Sequence, residues 1–156
     1  FVLEYYQTTN QSGPMHGLDF SEVKKTGGAD DYYNNDWYPG WVHWGMSMAN
    51  PLIASPIYNK DGDMTFKYNR VRAMHLGWSG DISSEWTYLA KLSYNKTWGT
   101  PFKPIPDILE NFSTFASIIY TPRKWKGWRF NASIAFDTGE IYGDNLGCQL
   151  KVRKIF

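Results

Sequence analysis

Leu146-Gly147-Cys148-Gln149-Leu150-Lys151-Val152-Arg153-Lys154-Ile155-Phe156 is the stretch whose reading decides the fold. Leu146, Cys148, Leu150, Val152 and Phe156 fall on one side of an extended chain, and Gly147, Gln149, Lys151 and Arg153 on the other. Successive side chains of a strand point to opposite faces, so this is a strand with one apolar and one wet face. A transmembrane β-barrel imposes that division on every strand, because lipid meets one face and an aqueous lumen the other. Lys154 breaks the pattern, standing where an apolar or aromatic residue is expected.

The same alternation recurs upstream. In residues 128–137, Trp128, Phe130, Ala132, Ile134 and Phe136 alternate with Arg129, Asn131, Ser133 and Asp137. Residues 86–98 set Trp86, Tyr88, Ala90, Leu92, Tyr94 and Trp98 against Thr87, Lys91, Ser93, Asn95 and Thr97. Their aromatics cluster at the two ends with aliphatics between, the two-girdle layout of a lipid-facing strand. Further strands are read at residues 1–8, 40–49, 64–78 and 112–120, which makes seven with 146–156. In 64–78 the apolar face of Met64, Phe66 and Tyr68 continues into Arg70 and Arg72, so either a bulge lies near Asn69 or the first part rises above the membrane.

Turn signals place short connections at 80–84, 122–127 and 141–145, and longer, Pro-rich ones at 51–63 and 99–111. Barrels of the outer membrane have short periplasmic turns and longer extracellular loops. With Phe156 at the periplasm, the short turns 80–84 and 122–127 fall there and the long loops fall outside. Residues 11–39 violate this parity: they are long, yet seven strands put them in the periplasm. An odd count also does not close a single-chain barrel, so the chain is expected to be a piece of a larger one, beginning at Phe1 without an initiator Met.

Composition bounds the rest. The chain has 156 residues and a formal net charge of +1, which makes no case for nucleic acid. Aromatics reach 18%, and Trp and Tyr are favoured where an apolar body meets a wet tip, membrane interfaces included. No run approaches the roughly 18 apolar residues of a spanning helix. The one cysteine, Cys148, sits in an apolar slot and reads as a small hydrophobe.

Three stretches together carry a resemblance: Tyr32-Tyr33-Asn34-Asn35-Asp36-Trp37-Tyr38-Pro39-Gly40-Trp41-Val42-His43-Trp44-Gly45 running into Ala49-Asn50-Pro51-Leu52; Asn69-Arg70-Val71-Arg72-Ala73-Met74-His75-Leu76-Gly77; and the C-terminal strand. The chain resembles the C-terminal part of Wzi-type capsule-assembly proteins of Bacteroidetes-like Gram-negative bacteria. Trp41 and His43 stand where tyrosines are more usual in that family, and Met46–Met48 replaces a more polar, Arg-containing run. The resemblance implies an all-β, antiparallel transmembrane barrel of about eighteen strands, of which residues 1–156 would be the C-terminal segment with the last seven. It also implies a non-enzymatic protein of the cell outer membrane that attaches or assembles capsular polysaccharide. Its partners would be that polysaccharide, outer-membrane lipid and the barrel-assembly machinery, whose C-terminal signal Phe156 resembles. No cofactor is implied.

Two sets of residues could bind. The aromatic run Tyr32, Tyr33, Trp37, Tyr38, Trp41 and Trp44 lies beside Asn34, Asn35, Asp36 and His43. Sugar rings stack their C–H faces on aromatic planes, and amides bond the hydroxyls, so Tyr33, Asn34, Trp37, Tyr38, Trp41 and His43 are the candidate polysaccharide contacts. The alternative is an interfacial girdle. A basic lumen face of Arg70, Arg72, Lys91, Arg129, Lys151 and Arg153 could attract an acidic polymer, or could instead be used up in internal ion pairs with Asp137 and Glu4. No catalytic constellation is legible, and His16, His43 and His75 lack metal-ligand spacing. Residues 59–63, Asn-Lys-Asp-Gly-Asp, hint at a calcium loop but lack the later bidentate Glu, so an Asp-Gly turn is expected. The rival readings are a soluble aromatic-rich barrel or sandwich binding carbohydrate or lipid, and a general porin.

Overall fold

The computed structural model describes residues 1–9, 11–13, 28–35, 40–48 and 50–156. Among them are β1 (Val2–Thr8), β2 (Val42–His43), β3 (Met46–Ser47), β4 (Val71–Asp81), β5 (Trp86–Gly99), β6 (Pro104–Tyr120), β7 (Trp128–Gly139) and β8 (Asn145–Lys154), with one 3-10 turn, Pro56–Tyr58. The fold is all-β, an antiparallel sheet with almost no helix. Six strands form one sheet in the order β1-β4-β5-β6-β7-β8, while β2 and β3 make a separate hairpin. The sheet is not closed: β1 and β8 are its edges. No helix among the described residues is long and apolar enough to cross a membrane.

The chain divides into two compact units. The first comprises Phe1–Tyr5, Met74–Tyr94 and Glu110–Phe156. Here the alternation read from the sequence becomes two faces. Phe130 pairs with Val152 and Tyr120, Ala132 with Leu150 and Ile118, Ile134 with Cys148 and Ala116, and Phe136 with Leu146 and Thr114. These side chains make one apolar surface across three strands. It is uncovered: Leu150 is 85% exposed and Ile134 51%. The other face is polar and cross-linked. Asn131 Nδ2 donates to Ser117 Oγ at 2.6 Å, and His75 Nδ1 meets Ser93 Oγ at 2.6 Å.

The register also explains Lys154. It lies directly opposite Trp128. Its Nζ stands 5.3 Å from that ring's centroid and 5.9 Å from Phe156's, and donates to the Lys126 carbonyl at 2.7 Å. The stem packs on aromatics while the ammonium reaches the turn, so the charge costs the apolar face little. Gly127 closes this corner. Its φ is +78°, and a Cβ there would fall onto the Ile155 carbonyl oxygen, whose own N–H donates to Gly127 at 2.8 Å. Gly127→Ala is expected to destabilise by about 1–3 kcal/mol, read from the shift in the urea unfolding midpoint.

The second unit comprises Tyr6–Ala73 and Asn95–Leu109. Its core is Tyr33, Ile53, Phe66, Val71 and Ala73, with Tyr6, Val42 and Leu52 against it. Beside that core lies a buried polar node. Asp30 Oδ2 accepts from Asn34 Nδ2 and Asn69 Nδ2, both at 3.0 Å, and Gln11 Nε2 donates to the Asn69 carbonyl at 2.5 Å.

Three expected elements differ from those observed. The expected strand 40–49 is not one strand over its described residues, 40–48. Trp44 (φ +51°) and Gly45 (φ +76°) are both left-handed, and the chain reverses there to pair Val42 with Ser47. Residues 64–70 are not strand either, and β4 begins at Val71. The Asn34 side-chain amide donates to the Phe66 carbonyl at 2.8 Å and accepts from its N–H at 2.9 Å, taking both bonds that a neighbouring strand would have made. Conversely, the expected loop 99–111 is mostly strand. Thr100 and Lys103 close a tight turn, Thr100 N–H to the Lys103 carbonyl at 3.2 Å and Lys103 N–H to Thr100 Oγ1 at 2.9 Å, and β6 starts at Pro104. Proline as first residue removes no needed ladder bond. Loop lengths therefore do not alternate as expected. Among the described residues between β1 and β4 none joins the six-stranded sheet, so β1 and β4 are neighbours in it; much of 11–39, where the parity conflict falls, lies outside the described residues.

Candidate functional site

The second unit presents an aromatic hairpin. Trp41, His43, Trp44 and Met46 are exposed on or beside β2–β3, and so are Tyr32 and Met48. Its base is firmly held. Trp41 N–H donates to the Tyr32 carbonyl at 2.6 Å, Met48 N–H to the Trp41 carbonyl at 2.9 Å, and Ser47 N–H to Ser55 Oγ at 2.9 Å. Tyr32 and Trp41 rings lie 5.5 Å apart at 57°. At the tip, Trp44 is 85% exposed and meets the His43 ring edge-on at 6.1 Å. Glycine suits position 45 because its φ is +76°, a left-handed conformation that a side chain strains.

Trp44 is the notable residue. A two-residue turn with both positions left-handed favours Asn-Gly, and a bulky residue there costs about 1–2 kcal/mol. Held in that conformation, the indole projects into solvent with an edge-on imidazole beside it. Such strain and exposure together mark a surface shaped for something other than stability. An indole plane flanked by a ring nitrogen can stack on a sugar ring while the imidazole bonds a hydroxyl.

The six candidate polysaccharide residues separate. Trp41 and His43 belong to the exposed hairpin. Tyr33 is only 7% exposed, edge-on to Phe66 at 4.7 Å in the core, and burial holds its phenol above its ordinary pKa, with Tyr6 adding to the rise and a hydrogen bond involving Ser47 opposing it. Asn34 is committed to Asp30 and the Phe66 backbone. Trp37 and Tyr38 lie outside the described residues, as does His16. Trp44, central to the exposed group, was legible as part of the aromatic run; the Trp-Gly pair was the signal for its place at a hairpin tip.

No protein family, curated protein or solved structure matches the chain.

The basic residues separate too. Arg70 and Arg72 hold their guanidinium carbons 5.4 and 5.2 Å from the Trp98 ring centroid, while Val71 between them points into the core. Their charges are directed at an indole. Lys91, Arg129, Lys151 and Arg153 are exposed on strands of the first unit, and Arg129 faces Arg153 directly across β7–β8. The turn at 59–63 uses its carboxylates internally. Asp63 accepts from Thr65 N–H at 3.0 Å and Thr65 Oγ1 at 2.8 Å, and Asp61 pairs with Lys67. The Thr65 bonds depress the Asp63 carboxyl, and Lys67 depresses that of Asp61 while its own ammonium is raised. This is the Asp-Gly turn, with Gly62 at φ +74°. The His75–Ser93 pair was not foreseen. The two sit on adjacent strands of the sheet, where sequence spacing says nothing of their proximity.

Proposed function

We propose that the chain is part of a transmembrane β-barrel of the Gram-negative outer membrane, acting without catalysis in the attachment of capsular polysaccharide at the cell surface. One observation carries the barrel: the apolar face of β6, β7 and β8 is continuous over three strands and open to its surroundings. Soluble monomers seldom leave so wide an apolar surface bare, whereas a lipid-facing wall must. Support comes from the free edges β1 and β8, where further strands would continue the wall, and from the aromatic row at one end. In that row Trp86 stacks on Tyr120 at 4.4 Å and Trp128 lies parallel to Phe130 at 6.0 Å. A soluble sandwich would need a second layer over this face, so its exposure disfavours that reading.

The polysaccharide role rests on the hairpin and on the resemblance to Wzi-type proteins. With Phe156 at the periplasm, an antiparallel meander would carry the β1–β4 connection, which bears Trp44, to the extracellular side. Cells lacking the gene are expected to shed capsular polysaccharide into the medium; full retention would remove the capsule role. Trp44→Asn sharpens the test. Asn accepts the left-handed turn, so folding should hold or improve slightly. Affinity for the purified capsular polymer should fall on the order of tenfold, as for removal of an aromatic anchor. Unchanged affinity would exclude the hairpin as the contact.

A further inference from the structure

We infer that the β6–β7 turn and the end of β8 form a docking surface for anionic phospholipid headgroups; this rests on the barrel reading above. The β6–β8 part of the first unit is electrically polarised along its strands, with Asp81 and Glu85 at the neighbouring β4–β5 turn the acids at its basic end. Residues 121–136 and 146–156 carry seven of the chain's 16 Lys and Arg and no Asp or Glu. The opposite end carries Glu110, Asp137, Glu140 and Asp144, with no Lys or Arg between 137 and 145. At the basic end Arg123, Lys124 and Lys126 are exposed on the turn. Glu85 is the acid nearest the turn, and its Oε1 already accepts from the Arg123 backbone N–H at 2.7 Å.

Charge alone would fit any polyanion. The neighbouring aromatics select a membrane. Trp86, Tyr120, Phe130 and Trp128 run across β5, β6 and β7 at this same end, and Trp125 packs edge-on to Phe130 at 5.9 Å from the turn itself. Trp and Tyr settle at the boundary between acyl chains and headgroups, so this row marks the depth of the interface, and the cations lie just beyond it. Lys154 reports the same boundary, its stem on Trp128 and its ammonium drawn to the turn carbonyl of Lys126. An anionic leaflet held at that depth brings phosphates to the cations without moving the strands.

The test is tryptophan quenching of the chain reconstituted in bilayers carrying a bromine-labelled minority lipid, either phosphatidylglycerol or phosphatidylcholine. Brominated phosphatidylglycerol should quench more, with a relative affinity at the protein surface about fivefold or more above phosphatidylcholine. That preference should vanish in the triple variant Arg123→Gln, Lys124→Gln, Lys126→Gln and shrink in about 0.5 M salt. These substitutions lie on exposed turn positions outside the hairpin and the apolar face. Equal quenching by the two lipids would overturn the docking surface while leaving the barrel intact. Absence of quenching by either would overturn the barrel reading and the docking surface with it.

Discussion

Replacing Ile134 with Lys is expected to block assembly of the sheet into a bilayer, at a cost of about 2–4 kcal/mol for a cation at mid-membrane. Ile134 sits midway along β7, between Ala116 of β6 and Cys148 of β8, at the centre of the apolar face. A Lys there is too far from either strand end for its ammonium to reach water as Lys154's reaches the turn. Ser133→Lys shifts the same charge by one residue onto the polar face, among Ser117 and Gln149, and should assemble normally. The measurement is the folded fraction after dilution from urea into lipid vesicles, read by protection from protease. Equal assembly of both variants would mean that the apolar face does not meet lipid.

The second large effect lies in the other unit. Asp30→Ala removes the acceptor shared by Asn34 and Asn69, and Asn69 is 0% exposed. The buried Asn69 amide would lose its partner, while the half-buried Asn34 amide keeps its bond to the Phe66 carbonyl. An unsatisfied buried donor costs about 1–3 kcal/mol, so a loss of about 2 kcal/mol is expected. Asp30→Asn keeps one oxygen in place and should lose less. Because Asn34 also holds Phe66 through its backbone, the damage should show first as protease cleavage between residues 28 and 70. The sheet of the first unit should still give an unchanged β signature by circular dichroism. Loss of that signature in Asp30→Ala would show that the polar node supports the whole chain.

What the sequence made legible was long and periodic. β5, β7 and β8 lie within a residue or two of the expected ranges because their alternation is long enough to survive single breaks such as Leu89, Lys96 and Lys154, and nothing local competes with the ladder. The failures are short alternations with another explanation. Met64, Phe66 and Tyr68 alternate like a strand, yet an asparagine more than thirty residues away takes the place of the neighbouring strand at Phe66. Val42 to Met48 alternate too, but two left-handed residues fold that stretch back on itself. Pro104 and Pro106 looked like loop residues, although a strand can begin at a proline. In the candidate site, sequence proximity suggested that Tyr33 and Trp41 act together. The fold turns one into the core and leaves the other in the open, a distinction that residue type does not carry.

The uneven spacing of the meander has a kinetic consequence. β4 to β8 are linked by turns no longer than the segment 121–127, so each hairpin can zip from its own turn with little loss of chain entropy. β1 can join β4 only after the whole segment from Thr9 to Arg70 has been closed into a loop. The hairpins of β4 to β8 are thus the natural first structures, and β1 the last arrival. The sheet would then wait longest for the strand that the ribosome releases first.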